Sequence, residues 1–186
     1  PYPYPHPANL TDLASTTAAV LRAEGVASVS LGFDDSLFTG PMVHPDWLPD
    51  DLQYVARVDA LMVDEASGGA AGPDPAAAAA QVFADLLQAQ GITVTGSPVR
   101  ASAVKGSAPL ARITSLPLSE LVQQALLHSD NTIAEVLFRQ LAIAAGQPAS
   151  FEGGAVALTA ALTRLGLWQP GMMVSDGSGL SMAGRM

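Results

Sequence analysis

Two apolar stripes of helical period run through residues 118–141, separated by a single polar triplet, Ser129-Asp130-Asn131. Upstream, Leu118, Leu121, Val122, Ala125 and Leu126 recur at the three- and four-residue spacing of one helix face, with Pro117 in the first turn. Downstream, Ile133, Val136, Leu137 and Leu141 repeat the pattern and predict a second helix with those residues as its buried stripe. Thr132 and Glu135 have capping-box spacing, and Glu135 and Arg139, one turn apart, predict a surface ion pair. The chain must turn between two helices that hold the triplet's backbone still. Such a triplet suits projection into a cleft, and it equally suits a plain helix-terminating turn with a local cap.

The remaining helix patterns end on glycine. A helix is predicted over about Asn9–Glu24, with Leu10, Leu13, Ala14, Thr17 and Leu21 on one face and Gly25 as its stop. Val29, Leu31 and Phe33 alternate as a strand before the turn at Asp34-Asp35-Ser36. Residues 38–51 carry Pro41, Pro45 and Pro49 and read as loop around Trp47, and residues 55–64 return to strand character. After a linker at 67–75, Asp74 caps and Pro75 opens a helix to about Gln90, with Gly91 ending it and residues 92–95 forming a short strand. The alanine run 76–80 is read as helix propensity alone. Helix 151–165 stops at Gly166, and residues 172–175 read as a strand entering Asp176-Gly177-Ser178-Gly179-Leu180-Ser181. The opening, with proline at 1, 3, 5 and 7, predicts an extended lead-in. The fold class is α/β (α+β), with a small α/β unit closing near residue 100.

Composition excludes several functions. A chain that is 49% hydrophobic and 13% charged folds around a core, and its net charge of −9 opposes a phosphate backbone, so no nucleic-acid partner is expected. Without cysteine there is no disulfide, zinc-thiolate site or thiol nucleophile. No apolar run reaches the roughly 18 residues of a membrane span, and no signal segment opens the chain, so an export signal is expected outside it.

The passage from a helix through Ser129-Asp130-Asn131 into Thr132-Ile133-Ala134-Glu135-Val136-Leu137, followed by Asp176-Gly177-Ser178-Gly179-Leu180-Ser181, resembles a family of low-molecular-mass penicillin-binding proteins. These are serine D-alanyl-D-alanine carboxypeptidases/endopeptidases related to penicillin-binding protein 4 (class C, peptidase family S13). Residues 25–30, 34–36, 38–41 and Trp47 are similar to the start of that class's inserted domain, and Ser115-Leu116-Pro117-Leu118 to its entry into the Ser-x-Asn helix. The resemblance implies the helical part of a penicillin-binding/β-lactamase-like transpeptidase domain (109–186) plus an inserted small α/β accessory domain (1–108). It implies a serine acyl-enzyme, in which Ser129 relays a proton and Asn131 holds substrate, with Gly177, Ser178 and Gly179 forming an active-site wall. It further implies no metal or organic cofactor, a peptidoglycan stem peptide as substrate, β-lactam antibiotics as inhibitors, and an extracytoplasmic setting in periplasm or cell wall with peripheral association to the envelope.

Two family motifs are missing. The nucleophile and base belong to a Ser-x-x-Lys at a helix start, and a Lys-Thr-Gly strand holds the substrate carboxylate. The only lysine here is Lys105, in Ser102-Ala103-Val104-Lys105, and Gly106-Ser107-Ala108-Pro109 directly after it cannot continue a helix. Gly184 stands where the pattern commonly has Asn. These 186 residues alone are therefore expected to be an internal section that cannot be acylated. Two alternatives stay open: an inactive cell-wall or protein-binding module of the same fold, and a β-lactamase, against which more than 100 residues precede the triplet without a credible nucleophile motif. His128 beside Ser129 is read as a helix-end polar residue, and His44 with Asp46 and Asp50 as a solvated loop rather than a metal site.

Overall fold

The structure, a computed structural model, describes residues 7–64 and 72–185. The proline-rich opening up to His6 and most of the linker expected at 67–75 lie outside the described residues. The described chain forms two compact units, one from residues 7–35, 61–63 and 72–120, the other from 36–60, 64 and 121–185. Its architecture is mixed α/β, as expected. The units follow packing, so residues 36–60 join the helices beyond 120 across a long stretch of sequence.

In the first unit, α1 (Leu10–Ala23) begins where the Asn9 side chain accepts the Asp12 N–H, and ends at Gly25, whose φ of 71° favours glycine. α2 (Pro75–Ala89) begins where Asp74 accepts the Ala77 N–H at 3.0 Å, with Pro75 as its first residue. The two helices pack together through Ala14, Ala18 and Leu21 against Ala84 and Leu87, with Ile92 and Val94 completing the cluster. Ala76 and Ala80 pack around Phe33 in a second cluster. The alanine run is thus more than helix propensity: its small side chains are core.

The strand expected over 29–33 is broken in two. β1 (Ser28–Val29) pairs in parallel with β3 (Thr93–Val94), and β2 (Gly32–Phe33) pairs in parallel with β4 (Val99–Arg100). Arg100 holds Asp35 and Asp74 at 2.7 Å each and lies over the Phe33 ring. Its hydrogen bond, more than the Ala77 N–H, keeps the Asp74 carboxyl below its ordinary pKa.

The second unit is built on α4 (Asn131–Ala144) and α5 (Phe151–Arg164), which pack closely, with Trp47, Val55, Val58 and Phe151 buried alongside them. Residues 55–64 form no strand. The Val58 N–H bonds to the Met42 carbonyl and the Ala56 N–H to the Thr132 hydroxyl, so these donors are spent on a loop and a side chain rather than a ladder. Of the strand expected at 172–175, one antiparallel bridge forms, Met173 with Arg185. Nor is α3 (Leu118–His128) a buried helix: none of its residues is fully buried, and Leu118, Leu126 and Leu127 stand exposed.

The buried face of α4 is also not the predicted one. Thr132, Glu135, Phe138, Arg139 and Ala142 are buried, while Ile133, Val136, Leu137 and Leu141 are only half-buried. A stripe rotated by about one residue has turned the helix's polar side chains inward.

Candidate active site

The triplet at 129–131 is a helix end and a helix start fused into one turn. The Asp130 N–H returns to the Ala125 carbonyl at 2.9 Å, closing α3 with Ser129 at the left-handed position, φ 52°, that glycine ordinarily fills. Asp130 then caps α4, its carboxylate accepting the Ile133 N–H at 2.8 Å. Ser129 is exposed, and a non-glycine residue held at positive φ is a strained position of the kind that collects at functional turns. The Asn131 Nδ2 donates to the Tyr54 carbonyl at 3.2 Å, which orients the carboxamide, and Thr132 accepts the Ala56 N–H one residue on. The first turn of α4 is therefore tied to residues 54–56.

The second turn of α4 is tied elsewhere. The Glu135 carboxylate, 0% exposed, accepts the Gly177 N–H at 3.0–3.1 Å, the Ser178 N–H at 2.8 Å and the Ser178 hydroxyl at 2.6 Å. The capping box with Thr132 does not form: Asp130 is the N-cap, Thr132 lies inside the first turn, and the Thr132 and Glu135 side chains bond other segments. Burial pushes the Glu135 pKa up, against the pull of Ser178 and Gly177, and Asp176 adds to the rise. Gly177 has no room for a side chain: a Cβ there would lie 2.6 Å from Phe138 Cβ and 2.7 Å from the Ala134 carbonyl.

The Asp176–Ser181 turn is closed from within. Asp176 accepts the Gly179 N–H at 2.9 Å, the Ser181 N–H at 2.7 Å and the indole N–H of Trp47 at 2.7 Å. His44 is buried rather than solvated: its ring meets Phe151 edge-on, Nδ1 accepts the Asp46 N–H and Nε2 lies 3.2 Å from the Ser175 hydroxyl. Both ring nitrogens thus face protein partners. Arg139, 1% exposed, donates to the carbonyls of Thr39, Pro41 and Ala149 and stacks over Phe151 at 4.4 Å. The surface ion pair expected between Glu135 and Arg139 does not form, since each is buried against different segments. Burial lowers the Arg139 pKa, and Glu135 is the first of the charges opposing that.

Ser129 and Asn131 thus share one turn, and Gly177–Gly179 share another. Among the described residues no hydrogen bond joins the two sets directly; α4 connects them through Glu135. The buried roles of Glu135 and Arg139 are settled by distant segments and are not marked locally in the sequence. Thr132, Glu135 and Arg139 recur at helical spacing, the pattern of an ordinary solvent-facing stripe, yet all three are buried. The Ser102–Lys105 segment is exposed and non-helical.

The family described as "D-Ala-D-Ala carboxypeptidase 3 (S13) family" matches residues 5–70 and 66–186. The chain belongs to that family. It is 32% identical over 194 residues to "Carboxypeptidase DacB" of Mycolicibacterium smegmatis, covering 98% of this chain and 40% of that protein. It is 33% identical over 168 residues to the "D-alanyl-D-alanine carboxypeptidase" of Actinomadura sp., covering 88% of this chain and 29% of that one. Its fold matches penicillin binding protein 4 (dacB) from Haemophilus influenzae with a TM-score of 0.76 at 20% identity, over 94% of this chain and 55% of that one. The chain thus spans less than half the length of these two curated relatives.

Proposed function

We propose that this chain forms part of a serine D-alanyl-D-alanine carboxypeptidase/endopeptidase of the S13 family, with Ser129 and Asn131 in its catalytic cleft. The observation that carries the reading is Ser129 held at positive φ, exposed, between two helices whose ends close on it. In this reading a serine from elsewhere in the parent enzyme attacks the carbonyl between two D-alanines of a peptidoglycan stem peptide. The carbon–nitrogen bond breaks, the terminal D-alanine leaves with a proton on its amine, and water resolves the acyl-enzyme. The Ser129 hydroxyl passes the proton toward the leaving amine, since a hydroxyl donates and accepts in one step. Asn131, with Nδ2 engaged on Tyr54, offers its carboxamide oxygen to the substrate or to the catalytic lysine. Gly177, Ser178 and Gly179 form the neighbouring wall.

The same reading proposes β-lactams as inhibitors, no organic or metal cofactor, and an extracytoplasmic site of action, where the substrate is. No described helix is long and apolar enough to cross a membrane. The proposed accessory insertion (1–108) and catalytic part (109–186) concern the family's chain order, not the compact units above. Lacking a helix-start Ser-x-x-Lys and a Lys-Thr-Gly, these 186 residues alone form no acyl-enzyme.

The test is acylation by a fluorescent penicillin. In the full-length parent enzyme, Ser129→Ala is expected to slow acylation roughly 10²–10⁴-fold, the range of a lost proton-transfer group. An unchanged rate overturns the assignment. The 186-residue chain by itself should take no label, and a covalent adduct abolished by Ser102→Ala would overturn its proposed inactivity.

A further inference from the structure

Glu135 is the only acidic residue on α4, it is fully buried, and no step above uses it. All four of its acceptor contacts come from Gly177 and Ser178. Asn131 lies one helical turn before it, and residues 131 and 132 are fastened to the carbonyl of Tyr54 and the N–H of Ala56. A helix fastened along one face at successive turns has no freedom to roll about its axis. We propose that Glu135 is a positioning residue, whose carboxylate locks the 176–181 turn onto α4 and thereby sets the aim of the Asn131 carboxamide. The consequence for catalysis rests on the reading of Asn131 given above; the lock itself does not.

The two donors at Gly177 and Ser178 are backbone N–H groups, which cannot rotate to become acceptors. They recognise a carboxylate and penalise any group presenting a hydrogen there. The charged groups facing Glu135 are Asp176 from the turn and Arg139 from α4 itself, with Asp59 and Glu152 acting on Arg139. Because burial raises the Glu135 pKa, its contribution to stability is fullest below the usual glutamate value. That contribution is lost as pH rises through the raised value. The ionised form that the turn's donors recognise is reached over the same interval, so the lock tightens as the fold gives up some stability.

The 186-residue chain, labelled with ¹⁵N, tests this by NMR across pH. The amide protons of Gly177 and Ser178 should move with one shared midpoint above the ordinary glutamate range, and the Asn131 side-chain amide should follow that midpoint. Glu135→Gln should remove the titration from all three. If the Gly177 and Ser178 amides do not titrate, or still titrate in Glu135→Gln, the lock is absent. If they titrate while the Asn131 amide ignores both pH and substitution, Glu135 does not position Asn131. Should Glu135→Gln fail to fold, the native titration decides by the same criteria. Failure of the functional reading is separate: Ser129→Ala leaving acylation intact sinks that reading while the NMR coupling stands.

Discussion

In the unit built on α1 and α2, the buried side chains are alanines and aliphatics with Phe33, whereas the unit built on α4 and α5 buries a guanidinium, three carboxylates and an imidazole. Every fully buried polar or charged residue among those described, from His44 to Ser181, lies in the second unit. The first unit gains its stability by bringing small helix faces close together and removing them from water. The second tolerates costly desolvation, and in return each buried polar group accepts only one arrangement of its neighbours. Arg139 illustrates the trade: three carbonyls from two separate loops converge on one side chain. A unit assembled this way is less tolerant of change and better suited to holding a turn in one place.

The comparison breaks most visibly at Arg139. Arg139→Ala leaves the Thr39, Pro41 and Ala149 carbonyls without their donor and empties the space over Phe151, and it should cost about 3–5 kcal/mol. Urea unfolding followed by tryptophan fluorescence measures this directly, because Trp47 and Trp168 both lie in the second unit. A loss under about 1 kcal/mol, no more than an exposed pair contributes, would mean the polar core is incidental. In the first unit the matching experiment is Ala18→Leu, which forces extra methylenes between α1 and α2 and should destabilise by about 1–3 kcal/mol. Helicity followed by circular dichroism through thermal unfolding reads it, and a neutral outcome would show that the alanine faces are not close-packed. The smallest effect has the opposite sign. Ser129→Gly relieves the left-handed backbone and should stabilise by about 1 kcal/mol while acylation of the parent enzyme falls. If stability drops instead, Ser129 is no strained position.

Legibility from the sequence divides along the same line. α1, α2 and α5 were readable almost to the residue, because Asn9, Asp74, Gly25, Gly91 and Gly166 mark their ends locally and their apolar faces need no distant partner to be recognised. The triplet at 129–131 was readable as a turn between helices for the same reason. What could not be read was any feature settled by residues far apart. Residues 55–64 carry valines that suit a strand, yet Val55 and Val58 are drawn into the core around Trp47 and Phe151. Glu135 and Arg139 have the spacing of an ordinary surface pair, and only the arrival of residues 177–178 and of residues 39–41 and 149 makes them core. The buried face of α4 combines apolar Phe138 and Ala142 with Thr132, Glu135 and Arg139, whose side chains are hydrogen-bonded to distant segments.

The discontinuity of the second unit has a consequence during synthesis. Arg139 is 100 residues from its partner Thr39, and at roughly 5–20 residues per second about 5–20 s of translation separate the two. For most of that interval Trp47, Val55 and Val58 are on the ribosome-bound chain without Phe151, the residue that completes their cluster. The residues of the first unit end at 120, so they are made before α4 and α5. The helices that complete the second unit thus come last, and the 36–60 segment is the stretch most in need of chaperone cover until α4 and α5 emerge.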